Sequence, residues 1–504
     1  MITLSIIYSL AFEDEITLYW DFQKDLNGGL YKTFVNDKLA FTSGKTHAEI
    51  VNLSSDTEYS IRVEMFDKNG KFLRKFGEKT IKTTASRKRI DVTQAPYNAV
   101  ADGVTLNTKA IQQAINDCKD GESVYFPKGT YLTGALDLHS NMELYIEKGA
   151  TLKGTVNVED YLPKRVSRFE GHHLESYSSL INMGQLDYKS GFNCFNVVIR
   201  GGGIIDGGGK ELCDNIVSVE REKMADYLNS LGKKLDLCDN NDVIPARTRG
   251  RLINISNSQN VIVANVGIYN SPSWNLHPIY SDNIVVYGCE FFSEGIWNGD
   301  GFDPDSSTNC TIFSCDFSTG DNCIAIKSGK NPDGNIVNRP TKNIKVFDCK
   351  TTVMGGGCAI GSEMSGGVED VYVWDCDFAK SNIGLTVKAS KDRGSYVRNL
   401  YINNCIASNF LVRSKYNCNG DGEPAPTVPY FENFYLDNVT LTGWSTRKNA
   451  PCTAILLSGF ENEGHALKNV VLNDITLLPR PDGNNQSIQI YCAEGVTIKN
   501  LKSL

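Results

Sequence analysis

Short runs of alternating apolar and polar residues recur along most of this chain, and from about residue 196 they recur in alignment. NVVIRGG begins at Asn196, NVIVANV at Asn260, NIVVYGC at Asn283 and NCTIFSC at Asn309. NIKVFDC follows at Asn343, DVYVWDC at Asp370, NLYINNC at Asn399, NFYLDNV at Asn433, NVVLNDI at Asn469 and GVTIKNL at Gly495. From Asn260 onward successive units start 23 to 36 residues apart. Each unit is a short strand with alternate inward apolar residues, then a turn and more strand. One such unit cannot bury its apolar face alone, whereas a stack of them can. The pattern predicts a right-handed parallel β-helix over residues 89–504, an all-β fold. Residues 1–88 alternate differently. ITLYWDF, KLAFTS, HAEIVNL, YSIRVEMFD and KTIKTT are parted by the turn signals NGG, SSD and KNG, which predicts a small β-sandwich ending in a linker at 84–89.

The repeat accounts for much of the cysteine content. Cys289, Cys315, Cys349, Cys376 and Cys405 hold the seventh position of successive units, and Val266, Val439, Ile475 and Leu501 hold it elsewhere. A position that takes Cys, Val, Ile or Leu is a small apolar interior rung. A stack also has raw ends with unpaired strand edges. In DGVTLNTKAIQQAINDC, Asn107 and Thr108 are candidate helix N-caps, and Ala110, Ile111, Ala114, Ile115 and Cys118 share one helical face that would cover an end. The coils are expected to start with the segment from Gly121 to Thr155. Residues 209–248 are too charged for a rung and predict a helical excursion overhanging one face.

Composition narrows the partners. The net charge is −8, so bulk charge does not attract nucleic acid. No apolar run reaches the length of a membrane span. The 15 cysteines show no CxxC pair and no Cys/His cluster at metal spacing, so no metal or cofactor is expected. The opening MITLSIIYSLAFEDEITLYW lacks a basic flank and a small-residue cleavage site. With the odd cysteine count this gives a cytoplasmic expectation, or a secreted one if a signal has been removed.

Acidic residues crowd one stretch, WNGDGFDPDSSTNCTIFSCDFSTGDNCIAIKSG, with Asp300, Asp303 and Asp305, then Asp321. Equivalent positions of neighbouring coils lie about 4.8 Å apart. Asp300 and Asp303 follow one strand and Asp321 the next, so both groups fall on adjacent coils of one face. Paired carboxyl groups on facing rungs suit glycoside hydrolysis, in which one protonates the leaving oxygen and the other activates water. A ladder of turn Asx residues, or a cation site, accounts for the same residues equally well. The hydrolytic reading requires Asp300 and Asp321 on opposite sides of one glycosidic oxygen, with room for a water between them.

NGDGFDPDSS, STGDNCIAIKSG, IGSEMSGG and SPSWNLHPIY resemble the signature segments of glycoside hydrolase family 28, the polygalacturonases. The resemblance runs over residues 90–504 and includes RFEGHHLESYSSLI from Arg168 to Ile181. With the N-terminal segment, whose LSSDTEYSIRVEMFD resembles a fibronectin type III sandwich with Tyr59 as tyrosine corner and Trp20 in its core, it looks most like the bacterial exo-acting members. The resemblance implies a right-handed parallel β-helix and inverting hydrolysis of pectic oligo- or polysaccharide. Carried over by motif, Asn298 and Asp300 match the family's Asn-x-Asp, and Asp321 and Asn322 match its paired acids. This implies Asp321 as general acid and Asp300 as base, with Asp303 in reserve.

The departures are specific. Gly355 stands where the family has a histidine, Thr386 replaces an arginine while Lys388 is kept, and Asn322 replaces a carboxylate. The first two are reminiscent of rhamnogalacturonan hydrolases in the same family, so galacturonan and rhamnogalacturonan chains both stay open as substrates. An amide accepts no proton at neutral pH, so Asn322 leaves Asp300 as sole base and predicts an impaired enzyme, or a binding protein that no longer turns over. A lyase of like architecture is the further alternative. The substrate carboxylate needs cations. Lys388 is the first candidate, followed by Arg393, Lys327, Arg249 and Arg251. His277 either lines the groove or packs in a turn, and Glu363 either binds a sugar hydroxyl or closes a turn.

Overall fold

In the computed structural model, the described residues are 7–26, 28–352, 355–416, 418–445, 453–480 and 482–504. The chain forms two compact units, Met1–Lys88 and Arg89–Leu504.

In the first unit, Tyr8–Ala11, Glu15–Tyr19 and His47–Val51 make one antiparallel sheet, and Leu30–Val35, Lys38–Ser43, Glu58–Phe66 and Phe72–Lys82 make another. Their inner faces bury Ile16, Leu18, Trp20, Tyr31, Val63, Met65 and Phe76 as one core. Trp20 meets Tyr31 edge-on, with ring centroids 4.9 Å apart. The Ser54 amide donates to the Tyr59 hydroxyl at 2.8 Å, a tie from the Tyr59 strand back to the turn before it.

The second unit is a right-handed parallel β-helix. Its long sheet runs in register from coil to coil, for example Val285 opposite Thr311, Lys345, Tyr372, Tyr401, Tyr435, Val471 and Thr497 in turn. The coiling starts earlier than the pattern suggested. Arg89–Asp91 pairs with Ser123–Phe126, and Asp102–Leu106 with Gly129–Thr133, both in parallel. The first coil was obscured because a helix, Thr108–Asp117, interrupts it. That helix buries Ile111, Ala114 and Ile115 in the coil's core. Asn107 stands at its N-cap position without capping by side chain. Its amide instead pairs with both backbone groups of Val100, at 2.7 and 2.9 Å, tying the loop before the helix.

The asparagine that opens each unit has a physical basis. Asn196, Asn260, Asn283, Asn309, Asn343, Asn399, Asn433 and Asn469 all adopt left-handed backbone, with φ between 54° and 64°, and Asp370 does likewise at 59°. Asn and Asp tolerate this region better than other non-glycine residues. Their side chains then form a ladder: Asn283 donates to Asn260, Asn343 to Asn309, Asn433 to Asn399 and Asn469 to Asn433, at 2.7 to 3.0 Å. Inside the coil, Cys289, Cys315, Cys349, Cys376 and Cys405 are buried, and burial pushes the last four thiols well above their usual range. Leu501, in the last coil described, departs from its rung companions: it is 42% exposed.

Residues 209–248 leave the coil as helices Gly209–Lys223, Ala225–Leu231 and Val243–Ala246. Leu212 and Ile216 of the first join the main core.

Candidate active site

One face of the coil carries Ile253–Ser256, Leu276–Ile279, then Asn322–Ile326, Gly356–Ile360, Ile383–Lys388, Phe410–Arg413, Thr453–Ser458 and Ser487–Tyr491. Between the second and third strands, Phe302 bridges Leu276 on one side and Ile324 on the other, and Asp305 bridges Ile279 and Lys327. This register sets Asp300 beside Asn322, on the coil that follows.

The Asn322 amide joins the two acids. Its Nδ2 donates to Asp321 Oδ1 at 2.9 Å and to Asp300 Oδ2 at 3.2 Å, and its backbone N–H also reaches Asp321 Oδ1 at 2.9 Å. Asp300 is 2% exposed, and its other oxygen, Oδ1, is buried without a hydrogen-bond partner. Burial, and then the Asp321 charge, push the Asp300 carboxyl up to about 7. Asp321 is partly open to solvent. The two acids therefore lie side by side under one donor. Asp300 and Asp321 thus fall on one face of neighbouring coils, with the Asn322 amide between them.

Lys327 sits behind this pair. Its Nζ is 3.9 Å from Asp300, 3.6 Å from Asp303 and 3.6 Å from Glu363, and 4.6 Å above the Trp274 ring. Burial disfavours its charge, but the surrounding carboxyls outweigh that and hold the ammonium well above its usual range. Glu363 is the ionised partner: burial would raise it, yet Lys327, Arg393 and Lys388 hold it at about 2. Asp303 behaves oppositely. It is fully buried, neither oxygen has a hydrogen-bond partner, and burial followed by the Asp300 charge raises its pKa well above normal. It is thus an enclosed carboxyl whose charged form is disfavoured by burial, poorly placed to stand in as base. Lys327 in turn is committed to the acids and is not an open cation for substrate.

The other predicted cations divide. Lys388 is half-buried with its Nζ 5.0 Å from the Tyr416 ring centre, and its charge reaches Asp300 and Glu363. Arg249 and Arg251 do not face the groove; they are buried under it. Arg249 donates to the carbonyls of Ala246, Pro272 and Trp297, and to Asn298 Oδ1 at 2.7 Å. Asn298, itself in left-handed backbone at φ 54°, is thereby fixed two residues before Asp300. Arg251 lies over Phe169 and Trp274 and donates to His277 Nδ1 at 3.2 Å. Burial, then Arg249, lowers it to about 9. His277 is fully buried, its Nε2 3.5 Å from Asp305, and burial lowers it to about 3, so it is a neutral packed residue and does not line the groove. Arg393 is buried too, donating to Ser362 O, Asn331 Oδ1 and Cys418 O. A long cationic side chain reads as surface in a sequence. Here backbone carbonyls, the Asn298 and Asn331 amide oxygens and the His277 ring nitrogen accept from these guanidiniums inside.

Two departures acquire a geometry. The residue opposite Asn322 on the next coil is Gly356, one beyond the Gly355 singled out from the motif. A Cβ on Gly356 would lie 2.4 Å from Asn322 Oδ1, and one on Gly355 would lie 2.3 Å from Asp321 O, so neither glycine leaves space for a side chain with this backbone. Thr386 turns its hydroxyl to Leu411 O at 2.9 Å.

Some neighbours escaped the sequence reading. Trp274 stacks on Phe169 with centroids 4.6 Å apart and supports both Arg251 and Lys327. The Tyr416 ring is near both Lys388 and Arg413, and Arg413 is the register partner of Lys388. A signal for Arg413 was available, since LTVK and FLVR are the same rung pattern on successive coils. Beside these groups two distant segments join. Arg247 pairs with Glu170 and, through both terminal nitrogens, with Asp421 at 2.6 and 3.0 Å. Lys330 also pairs with Asp421, at 2.7 Å. Gly420 N–H donates to Leu237 O at 2.9 Å, and Asp239 N–H to Asn419 Oδ1 at 2.8 Å. The helical excursion and the 418–422 loop form one wall.

The sequence model of the glycosyl hydrolases family 28 matches residues 118–478, and the chain belongs to that family. It is 32% identical over 320 residues to a probable polygalacturonase of Vitis vinifera, an alignment covering 61% of this chain and 58% of that protein. It is 28% identical over 418 residues to an exo-poly-alpha-D-galacturonosidase of Dickeya chrysanthemi, covering 78% and 69%. Of solved structures, a hyperthermoactive exopolygalacturonase from Thermotoga maritima superposes with a TM-score of 0.67 at 26% identity, over 82% of this chain and 91% of that one. A family 28 exopolygalacturonase from Yersinia enterocolitica gives 0.79 over 99% and 95%, and at 24% identity it shows the fold.

Proposed function

We propose that the protein is a polygalacturonase-type hydrolase that removes galacturonic acid units from the end of a pectic chain with inversion. The observation that carries this reading is the Asp300–Asn322–Asp321 arrangement: two carboxyl groups clamped by one amide, with Asp300 Oδ1 buried and unpartnered. The names of the relatives support the substrate class.

In this reading Asp321, nearer to solvent, gives its proton to the glycosidic oxygen as the C1–O bond breaks. Water attacks C1 and passes a proton to Asp300. Lys388 meets a substrate carboxylate, and Lys327 with Glu363 fixes the floor beside Asp300. The inverting course rests on family resemblance. The exo character rests on the wall built by Arg247, Asp421 and Lys330.

The test is a time course on polygalacturonate and on rhamnogalacturonan oligomers, with proton NMR of the fresh anomer. Release of monomer as the inverted anomer supports the proposal. Retained anomer overturns the stereochemistry, and early internal cutting overturns the exo assignment. An ultraviolet-absorbing unsaturated product would make the protein a lyase. Gly355 and Thr386, which stand where the family has a histidine and an arginine, are the reason to include rhamnogalacturonan.

A further inference from the structure

Arg249 is fully buried, and among the described residues no carboxylate lies within ion-pair distance of it. A cation held out of water without an acid is costly. Burial accordingly pushes this guanidinium below its usual range. What it holds shows its use. Nε donates to Ala246 O at 2.8 Å, and Nη1 reaches Cys213 Sγ at 3.4 Å; both acceptors belong to the helical excursion. Nη1 also donates to Pro272 O at 3.0 Å and to Trp297 O at 2.7 Å, and Nη2 donates to Asn298 Oδ1 at 2.7 Å. The Phe169 and Trp297 ring centres lie 5.3 and 4.9 Å from it. One side chain therefore joins the excursion, the turn before Trp274 and the loop that leads into Asp300.

The chemistry of the fork fixes an orientation as well. A guanidinium carries donors only, so the atom of Asn298 that meets it has to be the amide oxygen. The amide nitrogen, Nδ2, is then on the other arm of the carboxamide. Asn298 is half-buried, and among the described residues none accepts from Nδ2. Without its anchor the same carboxamide can turn either end outward, and an outward oxygen repels the oxygens of a sugar where a nitrogen would bind one.

We propose that Arg249 is a positioning residue: it turns the Asn298 carboxamide so that Nδ2 donates to an oxygen of the sugar held at Asp300 and Asp321, and it ties the loop before Asp300 to the base of the helical excursion. This rests on the polygalacturonase reading above and adds to it the buried group that orients the site's amide.

The experiment is a double-mutant cycle on the full chain, with wild type, Arg249→Lys, Asn298→Ala and the double variant assayed on trigalacturonate. Lysine keeps the charge and loses the fork. Each single variant is expected to lose about tenfold or more in kcat/KM. The double variant is expected to lie within about threefold of Asn298→Ala, because the two residues act through one contact. Losses that multiply in the double variant overturn the proposal, since a general packing role for Arg249 adds its effect to any other. An Arg249→Lys or an Asn298→Ala enzyme as active as wild type overturns it too. Should Arg249→Lys not fold, Arg249→Gln takes its place in the cycle with the same outcomes. If the wild type does not hydrolyse trigalacturonate, the polygalacturonase reading has failed independently. Calorimetric titration of the four proteins with trigalacturonate then decides: non-additive weakening of binding upholds the positioning role, and additive weakening, equal binding or absent binding removes it.

Discussion

An amide carries two N–H groups, and Asn322 spends them on Asp300 and Asp321. The residue that reads from the sequence as a lost base is, in the structure, the clamp of the acids that remain. Asp300 must be ionised to accept a proton. With its pKa raised to about 7, activity is expected to fall as pH drops through 7, seen in a kcat/KM profile. Asn322→Asp adds a like charge, which raises Asp300 further, so that limb should move to higher pH and the rate at pH 6 should fall. A tenfold gain at pH 6 would instead show that Asn322 impairs the enzyme. Burial disfavours the charged form of Asp303, so Asp303→Asn should change unfolding free energy by about 1 kcal/mol or less and leave kcat/KM nearly as it was. Lys327→Met removes the cation from the enclosed Glu363, and is expected to cost about 3–5 kcal/mol in urea unfolding.

At the scale of single elements, what the chain spells out is position along the coil. The repeated asparagine gave the register, and register put Asp300 and Asp321 on neighbouring coils. It did not give the tilt of their side chains, because the Asn322 amide draws both together, and amide contacts of that kind leave no mark on spacing. Nor were the buried arginines legible. Arg249 is satisfied by Trp297 and Arg251 by Arg168, 48 and 83 residues away along the chain. The first coil was hidden for a simpler reason: its strands are short and a helix divides them. The Gly356–Ile360 strand shows how tightly these elements approach. Gly356→Ala would drive a methyl to 2.4 Å from Asn322 Oδ1, displacing the clamp. Its kcat should drop at least tenfold while the far-ultraviolet circular dichroism is unchanged. Loosening the wall with Asp421→Asn should shift early products from monomer toward longer oligomers, read by chromatography.

For the molecule as a whole, each of the two units has its own buried core, one around Trp20 and Tyr31 and one running the length of the coil. A fragment beginning at Arg89 is therefore expected to fold and to keep the kcat/KM of the full chain. A fragment that aggregates or loses activity would show that the first unit is needed for the second.

The asparagine ladder has a consequence for how such a molecule can change. Each amide donates toward the preceding coil, and Asp370, which can only accept, still receives Asn399 at 2.9 Å. A newcomer bringing its own asparagine could be spliced between two existing turns, donating backward and accepting forward as its neighbours do. Lengthening or shortening the spine by whole turns would then alter how much polymer lies along the groove without disturbing the chemistry at its centre.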